Sequence, residues 1–187
     1  LYHLFKENGY ENIEYLYTSR RALTMASIEN MNERDVESLP PYTYGQTVGE
    51  ILDYLCVTRD QIQCLNDAGF SSFEDVIRTD EDRTAFRKLY ALDRDVFLAQ
   101  CKVERENARQ YFEKIDFCRE DAICFDCGWQ GSSQELVEQF KKTVGCEMKH
   151  EFVYFGIKHG AKSIRQLRSR HYDAYLFDFY RNFALQS

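Results

Sequence analysis

Between Thr47 and Phe117 apolar residues return every three or four positions, and Val48, Ile51, Leu52 and Leu55 share one helical face. Thr58 is placed to cap a helix carrying Ile62 and Leu65. Thr79 or Asp80 can open a long helical run through AFRKLYALDRDVFLAQCKVERENARQYFEKI, with a break near Leu92 and Asp93. GFSSFEDVI reads as a turn and a short helix. On either side of this block the period shortens. NIEYLYTS alternates and is rich in β-branched and aromatic residues, so Ile13 to Thr18 is expected as a strand. AICFDC is expected as another, followed by a helix from Ser132 or Ser133 to Thr143, a stop at Gly145 and a strand in HEFVYFGI. The opening LYHLFKENGYE reads as helix, and ALTMASIENMNERDVESLPPYTYG as polar and irregular, with Pro40 and Pro41 as its boundary. The tail holds a helix and a further aromatic segment whose period does not separate strand from helix.

A strand, a helix and a strand in succession build a parallel sheet with a right-handed crossover. The order of elements therefore predicts an α/β fold, a three-layer Rossmann-like parallel sheet core with a helical insertion. Residues 1–39 form the first part of that core, 40–118 the helical lobe and 119–187 the second part.

Composition narrows the function classes. Hydrophobic residues are 44% of the 187 and prolines number only 2, which suits a folded chain with a substantial interior. The formal charge of −7, from 31 acids against 24 bases, argues against nucleic acid as a partner, because a phosphate backbone needs a basic face and KSIRQLRSRH is short. No stretch reaches the roughly 18 apolar residues of a membrane span. A cytoplasmic protein is expected. The chain starts at Leu1, without Met, inside a helix-like segment, so it reads as a fragment whose partners include an upstream domain of the same polypeptide.

The 7 cysteines are scattered through apolar segments, and reduced structural thiols fit them best. Cys124 and Cys127 have CxxC spacing, but the first lies inside an expected strand instead of starting a helix, which disfavours a redox motif. A zinc set of Cys118, Cys124, Cys127 and Cys146 lacks a second close ligand pair. His3, His150, His159 and His171 have no H-E-x-x-H or paired spacing, and structural or surface roles suit them. No metal site and no particular cofactor follow from the sequence.

Two loops carry the candidate chemistry, since loops at the C-terminal ends of parallel strands converge on one crevice. In FDCGWQGSS, Gly128 and Gly131 let the backbone turn or approach a ligand, and Ser132 and Ser133 cap a helix or present hydroxyls. Free amides at the helix start, with Gln134 just inside, favour an anion. Asp126 at the strand end can accept hydrogen bonds from sugar hydroxyls, hold a metal, act as a base, or brace the turn. Trp129 offers a flat face for stacking, or packs the loop. In the other loop Ser19 precedes Arg20 and Arg21, whose guanidinium groups can fork onto phosphate or carboxylate, or pair with Asp126. A structural turn with a helix cap accounts for the glycine loop equally well, and G-x-x-G without a P-loop lysine is a weak nucleotide signal that argues against a Walker-type site.

YLYTSRRAL followed by CFDCGWQGSSQ resembles a recurring pattern, strand-SRR-hydrophobic and then strand-D-x-G-W-x-G-[ST]-x-Q, of large bacterial proteins described as haloacid-dehalogenase-like hydrolases of capsule, rhamnan or lipopolysaccharide synthesis. Ser19, Arg20, Arg21, Asp126, Gly128, Trp129, Gly131, Ser132 and Gln134 match its letters, and Cys127 departs from an expected aliphatic residue. The resemblance implies a segment downstream of the phosphatase-like core, because the D-x-D-x-T nucleophile loop has no counterpart and Gly128 stands in place of its second aspartate. Asp126 is therefore not a phosphatase nucleophile.

The expected function is that of a surface-glycan biosynthesis domain binding a phosphorylated sugar, a sugar nucleotide or a glycan intermediate. Arg20 and Arg21 would neutralise phosphate, the amides of Gly128 to Ser133 would cradle it, and Asp126 would orient a hydroxyl or serve as base. A transferase or phosphohydrolase completed by upstream residues is one alternative, and a noncatalytic interaction module is another.

Overall fold

The computed structural model describes residues 2–119, 122–126, 132–148, 150–154 and 172–174. Along the chain the elements are α1 (Tyr2–Glu7), α2 (Arg20–Ser27), α3 (Glu33–Ser38), α4 (Val48–Tyr54), a 3-10 turn (Arg59–Gln61), α5 (Leu65–Ala68), α6 (Asp80–Leu92), α7 (Arg94–Lys114), β1 (Ile123–Asp126), α8 (Ser132–Thr143), β2 (Glu151–Tyr154) and β3 (Tyr172–Ala174). Helix dominates, and the three-layer Rossmann-like core expected from the sequence is not what the chain builds. Among the described residues the sheet has three short parallel strands in the order β1-β2-β3.

The expectation fails first at Ile13 to Thr18, which joins no sheet among the described residues. Alternating side chains say that a segment is extended; a ladder also needs a partner strand. Here the backbone is held by one side chain: the Tyr111 hydroxyl accepts the Tyr17 amide at 2.8 Å and donates to the Tyr15 carbonyl at 3.1 Å. It fails again just downstream, where the stretch that reads as polar and irregular folds into α2 and α3. Leu23, Met25, Ala26 and Ile28 are buried there, and α3 is opened by an Asn32–Asp35 capping box.

The chain forms two compact units. One comprises Arg21–Ala108 and Gln134–Cys146 and is helical. Its core draws on α2, α4, α6 and α7 through Met25, Ile51, Leu52, Leu55, Phe86, Leu89, Tyr90, Phe97 and Cys101, all buried. Phe86, Tyr90 and Phe97 meet edge to face, with centroids 5.3 Å and 4.6 Å apart. Local signals agree with this packing. Thr47 and Glu50 cap α4 reciprocally, as Thr79 and Asp82 cap α6.

The break expected near Leu92 falls at Asp93, and it has a structural use. Its buried carboxylate accepts the Cys64 amide at 3.0 Å and the Gln63 amide at 3.2 Å, tying the start of α5 to the α6–α7 junction. The short helix expected in GFSSFEDVI does not form. Asp75 takes the Ser71 and Ser72 amides instead, and the segment pairs with the start of α4 and the residues just before it, as in the bonds Gly49 N to Phe73 O at 2.7 Å and Ile77 N to Gln46 O at 2.9 Å.

The other unit comprises Leu1–Arg20, Arg109–Ser133 and Glu147–Ser187 and contains the sheet. β2 is central, with Cys124 opposite Phe152, Asp126 opposite Tyr154, and Tyr154 opposite Ala174. Phe152 and Tyr154 are buried, as are Phe112 and Phe117, whose rings lie 4.5 Å apart, and His150 packs on Phe117. Histidine here is a packing residue.

Candidate functional site

The residues singled out in the sequence part company in the structure. Ser19 is exposed at the end of the extended segment, and Arg20 begins α2 with its side chain in solvent. Ser132 and Ser133 begin α8, where their amides head a helix of 12 residues. These two places meet: Arg20 Nη2 donates to Ser132 Oγ at 3.4 Å. That is the long end of the hydrogen-bonding range. Among the described residues no carboxylate lies within ion-pair reach of Arg20, so a charged acceptor entering here would replace a weak contact with a strong one. The helix start adds a partial positive charge, which Glu135 in the same turn opposes.

Arg21, the next residue, is committed elsewhere. Its Nη1 reaches Glu104 Oε1 at 2.6 Å, with side chains only 22% and 12% exposed, and Cys56 Sγ lies 3.5 Å from the same nitrogen. Burial works against the Arg21 charge, but the hydrogen bond and the charge of Glu104 outweigh it and raise the guanidinium pKa. In a helix, adjacent side chains diverge by about 100°, so one arginine turns inward and the other outward. A forked pair on a single ligand is not formed.

Asp126 ends β1 and is half-buried, on the strand face that alternation assigns to Cys124; the other face presents exposed Ile123 and Phe125. Its Oδ2 atom is shut off from solvent. A carboxylate so placed is better suited to bracing the strand end than to abstracting a proton from a bound molecule. Gln134 is buried at 1% exposure, and its Nε2 donates to Glu138 Oε1 at 2.9 Å, one turn on. It holds its own helix. Gly128, Trp129 and Gly131 lie outside the described residues.

Cys56, Cys64, Cys101 and Cys124 are free thiols, as expected, but two other cysteines are not. Cys118 and Cys146 are each disulfide-bonded, which removes two sulfurs from the zinc set considered above. Cys101 is inert by position, its thiol pushed up to about 12 by burial. Among the described residues no group of three or more His, Cys, Asp and Glu is placed to hold a metal ion, and no helix is long and apolar enough to cross a membrane.

Two residues of α7 escaped the sequence reading. Glu104 holds Arg21, and Arg105 donates through Nε to the Ala26 carbonyl at 2.9 Å and through Nη2 to the Ile28 carbonyl, closing the C-terminal end of α2. The signal was present in the spacing. Phe97 and Cys101 set the buried face of α7, and positions 104, 105, 108 and 112 continue it at three- and four-residue steps.

Comparison of the chain with protein-family models, characterised proteins and solved structures returns no match.

Proposed function

We propose that the chain binds the phosphate of a phosphorylated sugar or sugar nucleotide in surface-glycan biosynthesis, with Arg20 and the first turn of α8 as the anion contact. The observation that carries this reading is the meeting of Arg20 with Ser132 across 112 positions of sequence. An exposed guanidinium with one long contact to a neutral hydroxyl, beside a helix start, has both charge and donors to offer an oxyanion. The glycan context rests on the resemblance in the sequence around Arg20 and Asp126. Arg21 has no part in the ligand contact, and Asp126 supports the strand from which the loop departs.

Calorimetric titration of the purified chain with inorganic phosphate and with nucleotide sugars tests the proposal. Saturable heat is expected with nucleotide sugars, and Arg20→Ala should weaken it by about 10-fold or more, the value of a hydrogen bond to a charged group. No saturable heat, or an Arg20→Ala variant that binds as tightly as the parent, overturns it.

A second reading, a noncatalytic interaction module, is favoured by the aromatic side chains that the sheet-containing unit leaves in solvent. Tyr15 and Tyr17 are 52% and 75% exposed, with rings 4.7 Å apart, and Phe125 is 43% exposed. The same titration separates the two, because a module of this kind gives no heat with either ligand.

A further inference from the structure

We draw no further inference here: the strongest candidate, the exposed aromatic surface patch of Tyr10, Tyr15, Tyr17 and Phe125 on the sheet-containing unit, carries nothing because nothing in the structure shows what covers it.

Discussion

The helical unit and the sheet-containing unit are held together by different means. In the first, several helices turn one apolar stripe inward, and eleven of its side chains, from Met25 to Phe140, are among the largest fully buried ones of the described residues. Helix caps and side-chain carboxylates satisfy the backbone around that core. In the second, strands of four, four and three residues pair in parallel, an extended segment hangs from one tyrosine hydroxyl, and several large aromatics remain in solvent. A helix satisfies its own backbone and needs burial on one side, whereas a short strand depends on its neighbours for every hydrogen bond. Cohesion should therefore concentrate in the helical unit.

The largest expected effect breaks that unit at its centre. Phe86 is fully buried between Phe70 and Tyr90, and Phe86→Ala should cost about 3–5 kcal/mol through lost burial and an unfilled cavity, read from denaturant unfolding. A loss below about 1 kcal/mol would mean that the aromatic string is not the core.

The adjacent arginines sharpen the contrast within one helix. Arg21→Ala strands the half-buried Glu104 carboxylate and should destabilise by about 2 kcal/mol, less than the about 3–5 kcal/mol of a fully buried pair because both side chains keep some solvent. Arg20→Ala, on the exposed side, should change stability by less than about 0.5 kcal/mol while weakening the proposed ligand binding by about 10-fold or more. Paired melting curves decide whether stability and binding divide between these two positions.

A smaller effect is expected where the extended segment is tethered. Tyr111→Phe deletes the hydroxyl that serves both Tyr15 and Tyr17, and should cost about 1 kcal/mol. Hydrogen exchange at the Tyr17 amide should quicken, with the helical unit unaffected. Equal quickening in both units would show that they unfold as one.

The smallest effects come from acid. Asp75 and Asp82 have pKa values lowered chiefly by backbone amides, those of Ser71 and Ser72 for the first and of Arg78 and Thr79 for the second. A depressed folded pKa contributes stability that is fully present above the unfolded value of about 3.9 and is lost as pH falls through the folded value. The melting temperature should therefore drop from about pH 4 downward, and the double variant Asp75→Asn, Asp82→Asn should flatten that drop. An unchanged acid profile in the double variant would assign the pH dependence to other groups.

These comparisons bear on what could be seen beforehand. The burial of Val48, Ile51, Leu52 and Leu55, the Thr79 cap, the break at Asp93, β1 and its neighbour β2, and α8 from Ser132 to Thr143 all follow signals that lie within a few residues of one another. The misplaced strand at Ile13 to Thr18 and the unrecognised helices at Arg20–Ser27 and Glu33–Ser38 show the limit. In the first case, extended backbone without a ladder looks the same in sequence as extended backbone with one. In the second, α2 is a single amphipathic stretch with charged residues at its start, and its burial depends on Glu104 and Arg105, about 80 positions away.

The candidate site divides along the same line. Sequence alone determined the chemical types present, a pair of arginines, a strand-end carboxylate and hydroxyls at a helix start, because these are properties of residues and their near neighbours. Which arginine faces solvent, which pairs with Glu104, and that Arg20 reaches Ser132 were decided by tertiary structure. The physical reason is distance along the chain: no local preference carries information about a partner some hundred residues away, and only packing brings a guanidinium either to a carboxylate or to the start of a helix.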